Sequence, residues 1–359
     1  MLHPVSSPPG IPKLGRVTSL QTMRLVAALG IFQYHLWQNY LGVTLAFPAT
    51  DYFLVLVGVL AAMTQADRIG KGRWGGYMKA RYIRLYVTFI PLFLLTLAFK
   101  WQGATWDWII RSFFFIPLAE GQPVIGATWM LSQFVLFYLL FSLAYLFKKE
   151  AALWGVFSIW ALSCVAFNFL GWKPAIPVYW GQVLFYERNL EFIFGYLAGI
   201  ILRQGQLSIL WARAAFGLGG LGIGVSIILQ NSGIDATGRS FYSGIPVTLF
   251  VLGLVALEQQ GAPDRVVKWL TWPWFVLAGE ASYVLYLSHS ILLQAWDRLI
   301  GVTPLWAPLI SVVILIASVM GYIYWESPMI NYLNKRVWAR PKLPAWPFRV
   351  QKSANTEGV

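Results

Sequence analysis

Charge is what this chain has least of. Only 11% of its 359 residues are Asp, Glu, Lys or Arg, against 58% hydrophobic residues, and the mean hydropathy is +0.62. A water-soluble domain carries about a quarter charged residues. A solvent-clothed globule is therefore excluded and a polytopic, all-α membrane bundle is expected. Cysteine is reduced to Cys164, set within an apolar run, which excludes a disulfide framework. There is no internal repeat of the sort that marks many transporters. No small-x-small cleavage site follows the first apolar run, so that run reads as a full span and not as a cleaved signal. No metal site is expected.

What is present is a series of apolar stretches: Thr18–Gln38, Thr50–Ala66, Ala80–Phe99, Thr128–Phe147, Ala151–Leu170, Glu187–Leu202, Ser208–Gln230, Ser243–Leu257, Phe275–Ala295 and Leu305–Trp325. Most approach the roughly 20 residues that a spanning helix needs. They predict about ten transmembrane helices. Trp106–Leu118 is short, aromatic and interrupted by Asp107, Arg111 and Pro117, and reads as an interfacial or re-entrant piece. With ten spans, all 27 basic residues fall on the side of the termini except Lys100, Arg111, Lys173, Arg188, Arg239 and Arg298. The positive-inside rule then places both termini in the cytoplasm. The net charge of +13 is thereby accounted for by topology and anionic lipid headgroups. Nucleic-acid binding, which needs a soluble basic surface, is excluded. The expected organisation is a tail over 1–17, a membrane domain over 18–330 and a basic, Pro-rich tail over 331–359. Two longer outer loops, Lys100–Ala127 and Gly171–Tyr186, mix Trp, Tyr, Pro and Gly. Such loops suit either an interfacial aromatic belt or a shelf for a polar, ring-shaped acceptor such as a sugar.

Ionisable residues inside a membrane are costly and usually functional. "LQTMRLVAALGIFQYH" carries Arg24 and His35. Eleven steps of a helix end about 20° past three full turns, so both side chains share a face roughly 16 Å apart. One bound molecule could touch both. The plainer readings are an Arg24 that snorkels to headgroups and a His35 hydrogen-bonded between helices. "KARYIRLY" puts Arg81 and Arg84 on one face, a fork for phosphates or simply positive-inside charge. Asp51 stands at the start of the second stretch, within reach of His35 across a short loop. It would either orient the imidazole or cap its helix, and the two are compatible. Ser282, Tyr286 and His289 form one polar stripe, spaced by four and three residues, as expected of a helix facing a cavity or a neighbouring helix. Glu187, Arg188 and Glu191 lie at an outer helix end. Glu326 lies at a cytoplasmic end, with Pro328 expected to stop its helix.

These motifs together resemble the acyltransferase-3 family of integral-membrane O-acyltransferases. The Arg, ten residues, then His of the first stretch is similar to that family's first-helix motif. "DYFLVLVGVL" resembles its "DLFFVLSGFL", with Val57 in place of Ser. "KARYIRLY" carries its Arg-x-x-Arg. "TWMLSQFVLFYLLF" resembles "WSLSVEEQFYLLF", "LEFIFGYLAG" its Glu-Phe helix, "GEASYVLYLSHSILL" its "GxISYxLYLxH", and "ESPMI" its closing Glu-x-Pro. The likeness covers about Leu20 to Pro328. One departure stands out: the family's Glu-Glu pair falls on Phe134 and Val135, leaving Gln133 as the nearby polar residue. The stand-alone form is expected, without a fused esterase-like domain.

The resemblance implies transfer of an acyl group, acetyl first among the choices, from cytoplasmic acyl-coenzyme A to a hydroxyl of an extracytoplasmic or lipid-linked carbohydrate. A bacterial plasma membrane is the expected setting. Arg24, Arg81 and Arg84 would hold the coenzyme A phosphates, His35 would be the base and Asp51 its orienter. Ser282, Tyr286, His289, Glu191 and Trp129 would line the substrate path. Two other classes compete. A flippase or transporter of a lipid-linked saccharide has no reason to carry the Arg-ten-His and Arg-x-x-Arg spacings. A different membrane-bound O-acyltransferase fold would place its essential histidine late in the chain, at His289.

Overall fold

The computed structural model describes residues 17–69, 74–147, 149–205, 207–232, 238–261 and 265–338. Most of the two expected tails lies outside the described residues. The described residues are helical, with no strand among them. In chain order the helices are α1 (Ser19–Leu41), α2 (Ala49–Gln65), α3 (Trp74–Phe99), α4 (Trp106–Phe113), α5 (Trp129–Phe147), α6 (Glu150–Phe169), α7 (Val178–Leu184), α8 (Asn189–Gln204), α9 (Ile209–Asn231), α10 (Ile245–Gln259), α11 (Arg265–Leu270), α12 (Pro273–Glu280), α13 (Ser282–Leu299), α14 (Ala307–Gly321) and α15 (Ser327–Trp338). Every expected apolar stretch is a helix. By length and composition six helical segments among the described residues could cross a membrane, and the bent α12–α13 pair makes a seventh. α1, α2 and α8 occupy further expected span positions. They are shorter or richer in polar residues, and they bury several of these, Ser19, Thr22, Asp51, Asn189 and Glu191, inside the bundle.

Three expectations are corrected. The stretch Phe275–Ala295 is one run in sequence, yet α12 and α13 meet at a 64° bend around Ala281. Pro328 does not end its helix. A π turn over Tyr322–Glu326 widens the backbone just before it, and the helix continues as α15. Such a turn rearranges the backbone bonding where proline supplies no N–H. Asp51 is not a cap: Pro48 holds the cap position of α2, and Asp51 sits in the first turn. Trp106–Leu118, expected to be an interfacial piece, is the short helix α4 followed by a loop.

α1 is the axis of the site and is tied at both ends. Near its start, Glu258 of α10 accepts from the Thr18 N–H and hydroxyl at 2.8 and 2.7 Å and from the Ser19 N–H at 3.0 Å. These are N–H groups that a helix start leaves unpaired. At the far end Gln33 donates to Ser311 of α14 at 2.9 Å. α12 presses on α1 where Gly279 meets the Gln21 carbonyl, leaving no space for a side chain. α2 packs most extensively on α8. A Cβ on Gly58 would overlap the Phe192 carbonyl oxygen, and one on Gly195 the Val55 carbonyl oxygen. Small residues that let two backbones approach are the usual device of membrane helix packing.

Candidate active site

Two cavities open along α1, one at its Arg24 end and one at its His35 end. The first, about 240 Å³, is lined by Gln21, Arg24, Arg81, Arg84, Tyr138, Tyr283 and the apolar residues of α2 and α5 around them. All three arginines singled out from the sequence thus face one chamber, although they come from α1 and α3. Gln21 accepts from the Arg24 guanidinium at 3.0 Å. Arg81 lies over the rings of Tyr77 and Tyr138, 5.3 Å from each centroid, an arrangement that holds a guanidinium without neutralising it. Glu326, buried behind this group, accepts from Thr88 at 2.9 Å, and Arg84 and Arg24 are the cations that act on it. The chamber retains a surplus of positive charge.

The second cavity, about 440 Å³, is lined by His35, Tyr34, Thr50, Trp129, Arg188, Gln230, Arg239 and Tyr242 among others. His35 is partly exposed within it, and its Nδ1 lies 3.2 Å from the Asn39 amide one turn later. His35 stacks on His289, with centroids 5.2 Å apart and planes 21° apart. His289 is wholly buried. Its Nδ1 lies 3.2 Å from the Leu285 carbonyl, which only accepts, so that nitrogen carries the proton. Its Nε2 lies 3.1 Å from the Ser290 hydroxyl. Both nitrogens of His289 are therefore occupied, and His289 is a platform under His35.

Met130 and Tyr286 line both cavities and form the wall between them. Tyr286 is locked in that wall by donating its hydroxyl proton to the Ala127 carbonyl. Phe32 and Tyr286 flank His289 at 6.3 and 6.4 Å.

Asp51 does not meet His35. Its carboxylate receives Arg239 at 3.1 Å through Nε and 2.9 Å through Nη2, and Thr50 donates to Oδ2 at 3.2 Å. The start of α2 touches α1 through Ala49, which packs on Gly30, while the Asp51 side chain in the same turn faces Arg239. Glu191 is equally removed. It is fully buried behind this pair, accepts from Ser240 at 3.3 Å and lines neither cavity. Ser282 is buried at the α12–α13 bend and also lines neither. Trp129 and Tyr286 line the His35 cavity, whereas His289 lines neither cavity and meets the site only through its ring stacked on His35. Sequence reasoning gave no site role to Arg188, Arg239, Met130 or Asn39, although Arg188 was placed at an outer helix end. A signal for the first two existed, since both are among the six basic residues that break the charge asymmetry. Arg188 donates to Thr50 at 2.8 Å and lies 5.4 Å from the Tyr186 ring centroid.

A helical bundle with several membrane-grade helices, an arginine-lined chamber and a histidine-lined chamber on one axis is the frame of a membrane acyltransferase. The chain belongs to the acyltransferase-3 family: that family's acyltransferase domain matches residues 17–325. It is similar to Acyltransferase MdmB of Streptomyces mycarofaciens, 24% identical over 338 residues, covering 81% of this chain and 82% of that one. No solved structure matches it.

Proposed function

We propose that this enzyme takes an acyl group, acetyl in the simplest case, from acyl-coenzyme A entering at the Arg24 end and delivers it to a hydroxyl held at the His35 end. The acceptor is a carbohydrate or lipid-linked sugar reaching the enzyme from outside a plasma membrane. One observation carries this reading: two cavities of opposite chemistry meet at Met130 and Tyr286, and one helix supplies a key residue to each. Phosphates are recognised by guanidinium groups through paired, charge-assisted hydrogen bonds. Arg24, Arg81 and Arg84 are such a set, and the Arg24 end carries most of the basic loops, as a cytoplasmic face does. A narrow thioester-bearing arm would pass between Met130 and Tyr286 toward His35.

At His35 the chemistry is base catalysis. The neutral imidazole of His35, whose Nδ1 lies 3.2 Å from the Asn39 amide nitrogen, is the base. It takes the proton of the acceptor hydroxyl as that oxygen attacks the thioester carbonyl. The C–O bond forms, the C–S bond breaks, and the proton passes to the leaving thiolate. His289 fixes the plane of the ring and supplies no base of its own.

Steady-state kinetics on the purified protein in lipid nanodiscs, with acetyl-coenzyme A as donor, test this division. Arg81→Ala or Arg84→Ala should raise the donor KM, since a charge-assisted hydrogen bond is worth about 1.5–3 kcal/mol. His35→Ala should lower kcat by about 10²–10⁴-fold with donor binding intact. His289→Ala should be milder than His35→Ala. Full turnover in His35→Ala would sink the assignment of the base. Unchanged donor KM in the Arg81/Arg84 double variant would leave those residues only a topological role.

A further inference from the structure

A third cavity, about 340 Å³, adjoins the His35 chamber through a shared wall residue, Trp129. It lies under the loop that follows α4 and against α7, the two outer segments rich in Trp, Tyr, Pro and Gly. Its lining is aromatic and amide in character: Phe115, Trp129, Tyr179 and Tyr186 with Gln133 and Gln182. Gln133 is only 2% exposed, and its amide oxygen is buried with no hydrogen-bond partner. A buried polar atom left unpaired costs free energy and calls for an explanation. Here the unpaired group belongs to a residue of the cavity wall. Arg111, also on the wall, is neutralised by Asp107 at 2.8 Å, and that carboxylate holds its guanidinium above the ordinary value. No carboxylate lines the cavity. The loop is fastened: Lys100 donates to the Val124 carbonyl at 2.9 Å, Trp108 to the Gln122 carbonyl at 2.9 Å, and the Val124 N–H to Ser112 at 3.1 Å. Phe115 holds a positive φ of 56°, so the chain is turned sharply where its ring joins the wall.

We infer that this third cavity is the acceptor subsite, and that it takes an uncharged glycosyl ring whose hydroxyl groups pair with Gln133 and Gln182 while its C–H faces lie on the aromatic walls. Flat aromatic surfaces suit the apolar faces of a sugar, and amides both donate to and accept from neighbouring hydroxyls. A phosphate or carboxylate ligand would find no free cation there. Trp129 then stands between the ring in this cavity and the hydroxyl presented at His35. The inference rests on the acyl-transfer reading above and gives its acceptor a place.

The test uses the full-length enzyme in nanodiscs, acetyl-coenzyme A, and a panel of 4-nitrophenyl glucoside, galactoside, rhamnoside and N-acetylglucosaminide, with O-acetyl products read by mass spectrometry. Gln133→Leu should raise the KM of the accepted glycoside about tenfold, the size expected for one lost hydrogen bond in a desolvated site, with the donor KM unchanged. Gln182→Ala, on the exposed face of a short surface helix where folding is not at stake, should act in the same direction. Unchanged glycoside KM in both variants overturns the subsite while leaving acyl transfer standing. If wild-type enzyme acetylates simple alcohols but no glycoside, the glycosyl assignment falls and the transferase reading survives. If it releases no coenzyme A with any acceptor, the transferase reading itself fails.

Discussion

At the scale of single residues, the decisive difference between expectation and structure is Asp51. Position in the chain put it within reach of His35. Its actual partner, Arg239, is far away in sequence, and no local spacing could reveal it. The pair is buried on the Asp51 side, with that carboxylate fully excluded from solvent. Removing one partner of a buried ion pair costs about 3–5 kcal/mol because the other charge is stranded. Asp51→Asn is therefore expected to lower the thermal midpoint of the purified protein markedly. Asp51→Asn combined with Arg239→Met should recover part of that loss, since no lone cation remains. An Asp51→Asn protein of normal stability with a displaced pH–rate profile would instead restore the orienting role. Residues whose environment is set within their own helix were legible from sequence. Arg24, His35, Arg81 and Arg84 share faces as the helical period dictates, and Tyr286 and His289 follow the same rule. Glu191 and Ser282 share the polar character of site residues, yet tertiary packing carries them away from both cavities.

At the scale of elements, every expected apolar stretch is helical, because membrane-grade hydrophobicity is a strong local signal, whereas the short helices α7 and α11 and the final helix α15 gave no such signal. The breaks were not visible. The bend between α12 and α13 and the π turn before Pro328 depend on what packs alongside, not on a breaker residue alone. The bend matters for the arginine-lined chamber, because α12 brings Gly279 against the backbone of Gln21, one turn from Arg24. Gln21 also accepts from Arg24. Gly279→Ala places a methyl 1.9 Å from the Gln21 carbonyl oxygen, so α12 or α1 must move apart. The expected result is a raised KM for acetyl-coenzyme A with little change in acceptor KM. Equal disturbance of both constants, measured in the same nanodisc assay, would mean that the contact supports the whole bundle and not the arginine set. The α2–α8 seam is the converse case. Gly58 and Gly195 hold the helices whose ends carry Thr50, Asp51 and Arg188, all at or behind the His35 chamber.

At the scale of the whole molecule, sequence indicated the residues at the two ends of the proposed reaction but not the wall between them. The charge asymmetry marks one face, and the outer aromatic loops mark the other. Met130 and Tyr286 are ordinary residues of apolar helices, and only their joint presence in both cavities marks them as the wall between the two chambers. In the proposed reaction the donor binds on one side of a membrane and the acceptor on the other, so the acyl group would pass through protein. Met130 is an unbranched side chain with three rotatable bonds and adapts readily to a passing ligand. Replacing it with a rigid indole narrows the passage while the arginines and His35 themselves remain in place. Met130→Trp is thus expected to lower kcat by well over tenfold while the donor KM and acceptor KM stay near wild type. Overpacking alone costs about 1–3 kcal/mol, so retained donor binding, followed by isothermal titration with acetyl-coenzyme A, separates a blocked path from a collapsed fold. Tyr286→Phe is the companion change. It frees the ring from the Ala127 carbonyl and should ease passage, leaving kcat equal or higher. Undiminished turnover in Met130→Trp would mean that the acyl group takes another route between the two chambers.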